Sequence, residues 1–173
     1  FSLFPAARLQ GTVVLPGDKS IAHRGVMLAA IAEGTTRIDN FPAHNDAQAT
    51  VKVFRDLGVL IVRLPAKKTA GGMIPGIKVY GRGLRGLQPP HERLLAGESG
   101  TTLRLLLGIL SGQSFVSRVD AAAALRKRPM SRVTIPLRLM GARIFSSPTP
   151  NPQPLTPLAD AKEEYAPLTI EPA

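Results

Sequence analysis

The sequence contains no cysteine and no tryptophan, and only 5% of its residues are aromatic. The absence of cysteine excludes disulfide bonds and thiolate metal sites, and it fits a reducing compartment. The shortage of aromatic side chains argues against a platform on which nucleic-acid bases stack. No apolar run is long enough to span a membrane, since even the stretch 103–110 is interrupted by Arg104 and Gly108. The first residues lack the charged and apolar regions of a signal peptide, so we predict a cytoplasmic protein without a membrane partner.

Acidic residues are also scarce, with 12 Asp and Glu against 22 Lys and Arg in 173 residues, which gives a formal net charge of +10. Such a balance fits a nucleic-acid-binding surface, an enzyme that attracts anionic substrates, or part of a larger protein whose remainder balances the charge. The basic residues are scattered, and the densest groups are Lys67-Lys68 and Arg126-Lys127-Arg128. This scatter favours anionic small molecules and argues against nucleic acid as the partner. The hydrophobic share of 44% is enough for a globular core.

Periodicity and turn residues predict an α/β (α+β) fold. In the first half we expect strands over 12–15, 35–41, 59–64 and 77–80, helices over 20–33 and 46–57, and a loop over 66–76. Asp46 is the predicted N-cap of the second helix. In the second half we expect a helix that follows the turn at 97–102 and stops at Gly112, strands over 115–119, 142–145 and 168–170, a helix over 129–140, and a loop over 147–157.

The two halves read as copies of one unit, with a strand, a helix, a strand, a helix and a strand in each. Arg24 of the first half corresponds to Arg104 of the second, and Gly58 corresponds to Gly141. We therefore predict a single partial domain over residues 1–173, made of about two repeats at 10–90 and 91–173. Helices of such repeats usually pack in a shared core.

The most informative stretch is Pro16 to Arg24, in which Lys19, Ser20 and Arg24 lie at a strand-to-helix junction. A helix start offers unpaired N–H groups and the positive end of the helix dipole. Together with the two cations Lys19 and Arg24, this predicts a binding site for an anion such as phosphate or carboxylate. The alternative is a solvated helix start that Ser20 merely caps. A second such start, with Gly100 and Thr101, opens the second repeat, and Arg128 beside Pro129 is placed to add charge.

Other catalytic constellations are not apparent. His23, His44 and His91 have no metal-like spacing, so we interpret them as surface or packing residues and predict no metal site. No Ser-His-Asp arrangement can be identified.

Three segments resemble signatures of the 5-enolpyruvylshikimate-3-phosphate synthase family (3-phosphoshikimate 1-carboxyvinyltransferase), bacterial type. They are LPGDKSIAHRGVMLAAIAEGTTRIDNF with DAQATVKVFRDLGV, then AGESGTTLRLLLGIL, then LRKRPMSRV with LRLMGARI. The second is similar to the family's AGNSGTTxRLLxGxL, and the third to its SLxxRPMxRV and LxxMGAxI. Together they cover most of residues 10–145.

The resemblance implies transfer of the enolpyruvyl group of phosphoenolpyruvate to the 5-hydroxyl of shikimate 3-phosphate, with release of phosphate. This is a shikimate-pathway step toward aromatic amino acids, and it needs no metal or organic cofactor. The family is the target of glyphosate. Its fold is an inside-out barrel of two similar domains, each with three βαβαββ-type repeats, and the active site lies between the domains.

The resemblance also implies residue roles. Lys19 matches the catalytic lysine that contacts both substrates, Ser20 and Arg24 match shikimate 3-phosphate ligands, and Gly100 and Arg128 match phosphoenolpyruvate ligands. The positions expected near the site are Asp46, Thr101 and Arg104.

The sequence departs from the family pattern at two places. Glu98 stands where the family usually has Asn, and a carboxylate there should repel phosphoenolpyruvate unless it is turned away or paired. Ala121, Ala122 and Ala124 replace a Gly-Asp-x-Ser pattern, which removes polar groups ahead of Arg128 and should loosen its placement.

The chain carries about two repeats, and the family's C-terminal domain lies outside it. We therefore expect the chain alone to bind anions weakly, without turnover, and to need a complementary C-terminal domain. Two alternatives remain open at this point: a UDP-N-acetylglucosamine enolpyruvyl transferase relative, which lacks the DKSxxHR pattern, and a non-catalytic anion- or nucleic-acid-binding module.

Overall fold

The computed structural model describes residues 4–5, 8, 10–11, 15–69, 72–146 and 163–172. Two predicted elements fall on other residues: the strand over 12–15, apart from Leu15, and the loop over 147–157. The elements in chain order are α1 Lys19–Ile31, β1 Thr35–Asp39, α2 Asn45–Asp56, β2 Leu60–Thr69, β3 Gly72–Tyr80, β4 Leu94–Leu95, α3 Gly100–Ser111, β5 Ser117–Asp120, α4 Ala123–Arg126, α5 Ser131–Leu139, β6 Arg143–Ser146 and β7 Leu168–Glu171.

Three strands of each sheet follow the same order. The first runs β1-β3-β2, and the second runs β4-β5-β7-β6, so that β5, β7 and β6 repeat the order of β1, β3 and β2. All pairs within these matching triplets are antiparallel, whereas the additional strand β4 lies parallel to β5. The predicted α/β class is confirmed, and the matching topology supports the interpretation of two repeated units.

The core lies where the helices meet one another and the inner sheet faces. Helix α1 packs on α2 and α3, and α3 packs on α5. The fully buried side chains include Val26, Phe54, Leu103, Leu106 and Leu110. On α3 these leucines recur three and four residues apart, which places them on one helix face. None of the helices in the described ranges is long and apolar enough to cross a membrane.

Equivalent contacts recur in both units. The guanidinium of Arg55 donates from Nε to the carbonyl oxygen of Ile61 at 3.1 Å, and that of Arg138 donates from Nε to Ile144 at 2.7 Å. Between each arginine and its acceptor, Gly58 and Gly141 adopt left-handed φ values of 83° and 101°, which favour glycine. The unit limits at residues 90 and 91 stay a prediction.

Aligning the helix caps corrects one predicted correspondence. Asp18 caps α1 by accepting from the N–H of Ile21, and Ser99 caps α3 by accepting from the N–H of Thr102. In this alignment Arg104 is equivalent to His23 and not to Arg24. The sequence comparison matched two arginines that lie one helical position apart, about 100° around the axis.

The predicted loop over 66–76 is wrong at its described residues, 66–69 and 72–76. These residues form the two antiparallel arms of a hairpin made by β2 and β3, with Lys67 opposite Ile74 and Lys68 opposite Met73. The register shifts between Leu64 and Lys67, around Pro65. Glycine and lysine suggested a loop, but backbone hydrogen bonds to a partner strand can hold a hairpin arm whose side chains are mostly exposed. The short helix α4 was also not predicted.

Candidate anion-binding site

Three helices begin close together at one end of the molecule. His23 lies in the second turn of α1, Thr50 lies in the second turn of α2, and Thr102 lies in the first turn of α3. The Nδ1 atom of His23 is 2.6 Å from the Thr50 hydroxyl, which is 2.7 Å from the Thr102 hydroxyl. Because helix starts carry unpaired N–H groups and partial positive charge, their convergence makes this end of the molecule favourable for anions.

Lys19 lies at the junction of α1 and α2. It is the first residue of α1, and its Nζ atom donates to Oδ2 of Asp46 at 2.6 Å. The prediction that Asp46 is the N-cap of α2 is wrong, because α2 begins at Asn45 and is preceded by His44, whose side chain makes no cap hydrogen bond. Asp46 instead lies in the first turn, where its carboxylate interacts favourably with the positive end of the helix dipole. The same carboxylate orients the Lys19 ammonium.

Ser20 and Arg24 lie four residues apart on another face of α1. A terminal guanidinium nitrogen of Arg24 donates to the Ser20 carbonyl oxygen at 3.1 Å. The alternative role of Ser20 as the cap of α1 is wrong, since the carboxylate of Asp18 accepts the hydrogen bond from Ile21 N–H at 2.7 Å. Both residues are exposed at the helix start. They are therefore available to a ligand but do not line the pocket beside Lys19.

That pocket has a volume of about 210 Å³ and is lined by Asp46, Glu98, Ala124, Leu125 and Arg128. It joins the first turn of α2, the turn before α3 and the segment around α4. Arg128 is exposed and forms no ion pair with the described residues. The structure thus brings together Arg128 from the third signature and Asp46, the partner of Lys19, from the first.

Glu98 is also on the pocket wall. Its side chain is exposed and has no ion-pair partner within the described ranges, so its negative charge is not neutralised by pairing. Two acidic residues, Asp46 and Glu98, therefore line the pocket together with Arg128. Only the first is neutralised, by Lys19.

Gly100 allows close packing at the start of α3. A Cβ atom at this position would lie 3.0 Å from a terminal guanidinium nitrogen of Arg104 and 3.5 Å from Cδ1 of Leu125, a pocket residue. The Nε atom of Arg104 is buried and has no hydrogen-bond partner in the described part of the chain. Thr101, the next residue of α3, is half-buried. The backbone of this turn is thus adjacent to an incompletely paired guanidinium.

Sequence reasoning missed Asp120, which anchors the segment that leads to Arg128. Its buried carboxylate accepts from Arg126 at 2.6 and 2.8 Å, from Arg93 at 3.3 Å and from the N–H of Ala121 at 2.7 Å. Burial alone would raise the pKa of Asp120, but the hydrogen bonds and charges of these partners outweigh it and hold the pKa below its usual value. Asp120 thus supplies a carboxylate close to the three alanines, and Arg126 is held in place. The sequence signal that could have identified Asp120 is an acidic residue at the end of a strand, a few residues before the basic run at 126–128.

The histidines follow their predicted roles. His23 is fully buried and hydrogen-bonded, whereas His44 and His91 are exposed. Burial is the main cause that lowers the pKa of His23, with Asp46 acting against it and Lys19 adding to it. In the described part of the chain, no group of three His, Asp or Glu side chains could hold a metal ion.

Comparison with known proteins identifies the family. Residues 4–162 match the model of "EPSP synthase (3-phosphoshikimate 1-carboxyvinyltransferase)". The chain is 48% identical over 148 residues to the 3-phosphoshikimate 1-carboxyvinyltransferase of Shouchella clausii, covering 86% of this chain and 32% of the relative. It is 49% identical over 147 residues to the enzyme of that name in Pelotomaculum thermopropionicum, covering 85% of this chain and 32% of the relative.

Solved structures give the same result. The EPSP synthase of Acinetobacter baumannii is similar with a TM-score of 0.74 and 39% identity, over 94% of this chain and 32% of that one. EPSP synthase structures have the inside-out α/β barrel fold, to which the two sheets and their packed helices correspond. The chain spans about a third of the length of these relatives. On the strength of the family match and of both comparisons, this chain belongs to the EPSP synthase family.

Proposed function

We propose that this chain forms part of a 3-phosphoshikimate 1-carboxyvinyltransferase, which transfers the enolpyruvyl group of phosphoenolpyruvate to the 5-hydroxyl of shikimate 3-phosphate and releases phosphate. The observation that carries the proposal is the family match over residues 4–162, together with the meeting of residues from its signatures around one junction of helix starts. The substrates are small anionic metabolites, and we propose a cytoplasmic location for the reaction.

In this proposal, Lys19 contacts both substrates, Ser20 and Arg24 bind shikimate 3-phosphate, and Gly100 and Arg128 bind phosphoenolpyruvate. Each group is chemically suited to its role. Lys19 is a compact charge that can exchange Asp46 for a substrate oxygen, since their ion pair is partly exposed. Arg128 offers a planar fork for a carboxylate or phosphate.

Three further residues lie around these ligands. Asp46 orients Lys19, and Arg104 lies against Gly100, with Thr101 between them in sequence. We propose that the buried Nε atom of Arg104 and the N–H groups at the start of α3 contribute fixed positive potential beside phosphoenolpyruvate.

The proposed chemistry depends on positioning and charge stabilisation. Addition of the 5-hydroxyl to phosphoenolpyruvate gives a tetrahedral intermediate, from which phosphate is eliminated. Cations and N–H donors that are fixed before the substrates bind lower the free energy of such a charged intermediate, because little reorganisation is needed as charge develops.

The chain spans about a third of its relatives, so we propose that it supplies one wall of the cleft. A complementary C-terminal domain would supply the other wall. This chain alone, without the complementary domain, should bind both substrates weakly and release no phosphate. The matched family favours this interpretation over a UDP-N-acetylglucosamine enolpyruvyl transferase.

The test is a calorimetric titration of shikimate 3-phosphate and then phosphoenolpyruvate, with and without the remaining two thirds of the Acinetobacter baumannii enzyme as a separate chain. We expect weak binding alone, tighter binding with the added domain, and phosphate release that requires both substrates and both chains. Lys19→Met should abolish the phosphate release, whereas Lys52→Met, at an exposed pair with Asp56, should not. No binding under either condition would contradict the proposal.

A further inference from the structure

Four buried polar side chains form a cluster beneath the candidate site. His23, Thr50 and Thr102 have no exposed surface, and Ser99 is 2% exposed. The four come from the starts of all three converging helices, since Ser99 caps α3 and the others lie in the early turns of α1, α2 and α3. Buried polar groups of this kind are costly unless every donor and acceptor is satisfied.

The distances are consistent with one closed ring of hydrogen bonds. The Ser99 oxygen accepts from the N–H of Thr102 at 3.2 Å and from its hydroxyl at 2.8 Å, which leaves the Ser99 hydrogen to point to Nε2 of His23 at 3.5 Å. Nδ1 of His23 then carries the proton and donates to Thr50 at 2.6 Å. The single hydroxyl hydrogen of Thr50 has two acceptors within reach, and in the ring it goes to Thr102 at 2.7 Å and not to the carbonyl oxygen of Asp46 at 3.4 Å. In this direction each hydroxyl donates once, and the neutral imidazole uses both nitrogens.

We propose that His23 is a positioning residue for the anion site: its neutral Nδ1–H tautomer closes the ring that fixes the starts of α1, α2 and α3 relative to one another. This inference rests on the proposed function. Lys19 is four residues from His23, Asp46 is four residues from Thr50, and Gly100 lies between Ser99 and Thr102. The ring therefore determines how the Lys19–Asp46 pair and the N–H groups of α3 face the same ligand.

A second proton on His23 would break the ring. Nε2–H would then point at the Ser99 oxygen, which already accepts two hydrogen bonds, and the Ser99 hydrogen would need a new acceptor. The charged groups that act on His23 are Asp18, Lys19 and Arg24 from the α1 side and Asp46 from α2, while α3 contributes the hydroxyls of Ser99 and Thr102. Burial lowers the pKa of His23, which keeps the ring neutral at neutral pH.

The test separates hydrogen bonding from packing at Thr50. Thr50→Val keeps the volume and removes the hydroxyl, whereas Thr50→Ser keeps the hydroxyl and removes a methyl group. Thr36→Val, in β1, is the matched control. Sulfate is the probe, because its charge is constant across neutral and mildly acidic pH. Its affinity for the 173-residue chain is measured from the amide shifts of Gly100 and Thr101 by NMR.

We expect Thr50→Val to weaken sulfate binding about fivefold, the equivalent of one buried hydrogen bond, and Thr50→Ser and Thr36→Val to stay within about twofold. The nitrogen spectrum of His23 should show the Nδ1–H tautomer at neutral pH, and Thr50→Val should change it. If Thr50→Val does not fold, Thr102→Val and Thr102→Ser replace the pair.

Two results would overturn the inference. One is a protonated or Nε2–H imidazole in the unmodified chain, and the other is sulfate binding that Thr50→Ser weakens as much as Thr50→Val. Failure of the unmodified chain to bind sulfate or shikimate 3-phosphate would instead contradict the anion site and the proposed function, while the tautomer measurement would still decide whether the ring exists.

Discussion

At the residue scale, anion binding in the pocket depends on the balance between positively and negatively charged side chains. Arg128 shares the pocket with Asp46 and Glu98, and Lys19 neutralises only Asp46. The sequence predicted Lys19 and Arg128 as ligands from their place at helix starts and from the family resemblance. It could not predict the Lys19–Asp46 pair, because the two residues are 27 positions apart and meet only when α1 packs on α2.

Replacing Glu98 tests the effect of this excess negative charge. Glu98→Gln should strengthen phosphoenolpyruvate binding about fivefold, since a unit charge at about 4 Å in a solvated site contributes about 1 kcal/mol of repulsion. Calorimetry in low salt, with the complementary domain present, measures the change. Glu92→Gln, at an exposed position that does not line the pocket, is the control and should have no effect. Equal or weaker binding by Glu98→Gln would show that the carboxylate does not face the ligand.

Gly100 and Gly108 offer a comparison within one helix. An added methyl group at Gly100 would lie 3.0 Å from the Arg104 guanidinium, whereas one at Gly108 would meet nothing within 4 Å. Gly100→Ala should therefore weaken phosphoenolpyruvate binding several-fold by displacing Arg104. Gly108→Ala should leave binding unchanged and stabilise α3 by about 0.5–1 kcal/mol. Calorimetry and urea unfolding give the two readouts, and equal binding by both variants would contradict the role of Gly100.

At the scale of elements, the helices were more predictable than the polar contacts that anchor them. Apolar spacing and stop glycines predicted α1, α2 and α3 to within a few residues. The hairpin arms at 66–69 and 72–76 were misassigned as a loop because they are mostly exposed and carry lysine and glycine. Helix α4 was missed because it has only one turn. The cap of α2 was misassigned because Asp46 satisfies the rule for a cap but is recruited by Lys19.

Among the polar residues that anchor the helices, Asp120 should be the one whose replacement lowers the free energy of unfolding most. Asp120→Asn removes the buried carboxylate from its pairs with Arg126 and Arg93 and should lower the free energy of unfolding by about 2 kcal/mol. Because the pKa of Asp120 is lowered on folding, its contribution is present above its usual pKa and is lost as pH falls below about 4.

Urea unfolding at neutral pH measures the difference. Asp56→Asn, which breaks an exposed pair with Lys52 in α2, is the control and should cost less than about 0.5 kcal/mol. A loss at Asp120 no larger than that at Asp56 would show that Arg126 is not anchored by this carboxylate.

At the scale of the whole molecule, the order of elements was more predictable than their packing. The order of helices and strands, the paired glycines and the family signatures are all readable along the chain, and the matching strand order of the two sheets supports the predicted repeat. The candidate site residues were predicted as separate helix starts, but the meeting of these starts depends on the packing of α1 on both α2 and α3, which the sequence does not show. The predicted correspondence of Arg24 with Arg104 was wrong because it relied on identical residue types. The equivalent positions of α1 and α3 are given by their caps, Asp18 and Ser99.

The stability of the whole chain should depend on pH through His23. A lowered pKa in the folded state means that the unfolded chain binds the proton more readily, so stability falls as pH decreases below about 6.5. Urea unfolding at several pH values between about 7.5 and about 5 should show this loss. His23→Asn should remove it, and His91→Asn, at an exposed site, should not. A flat profile in the unmodified chain would contradict a buried neutral imidazole.

We propose that anions bind at the junction of the three helix starts and not over the basic surface in general. Amide shift mapping with shikimate 3-phosphate on the isotope-labelled 173-residue chain distinguishes these two possibilities. We expect saturable shifts in 19–24, 98–104 and 124–128, and none at Lys67, Lys68 or Arg82. Shifts spread over the hairpin and other basic segments, or absent from the helix starts, would contradict the proposal.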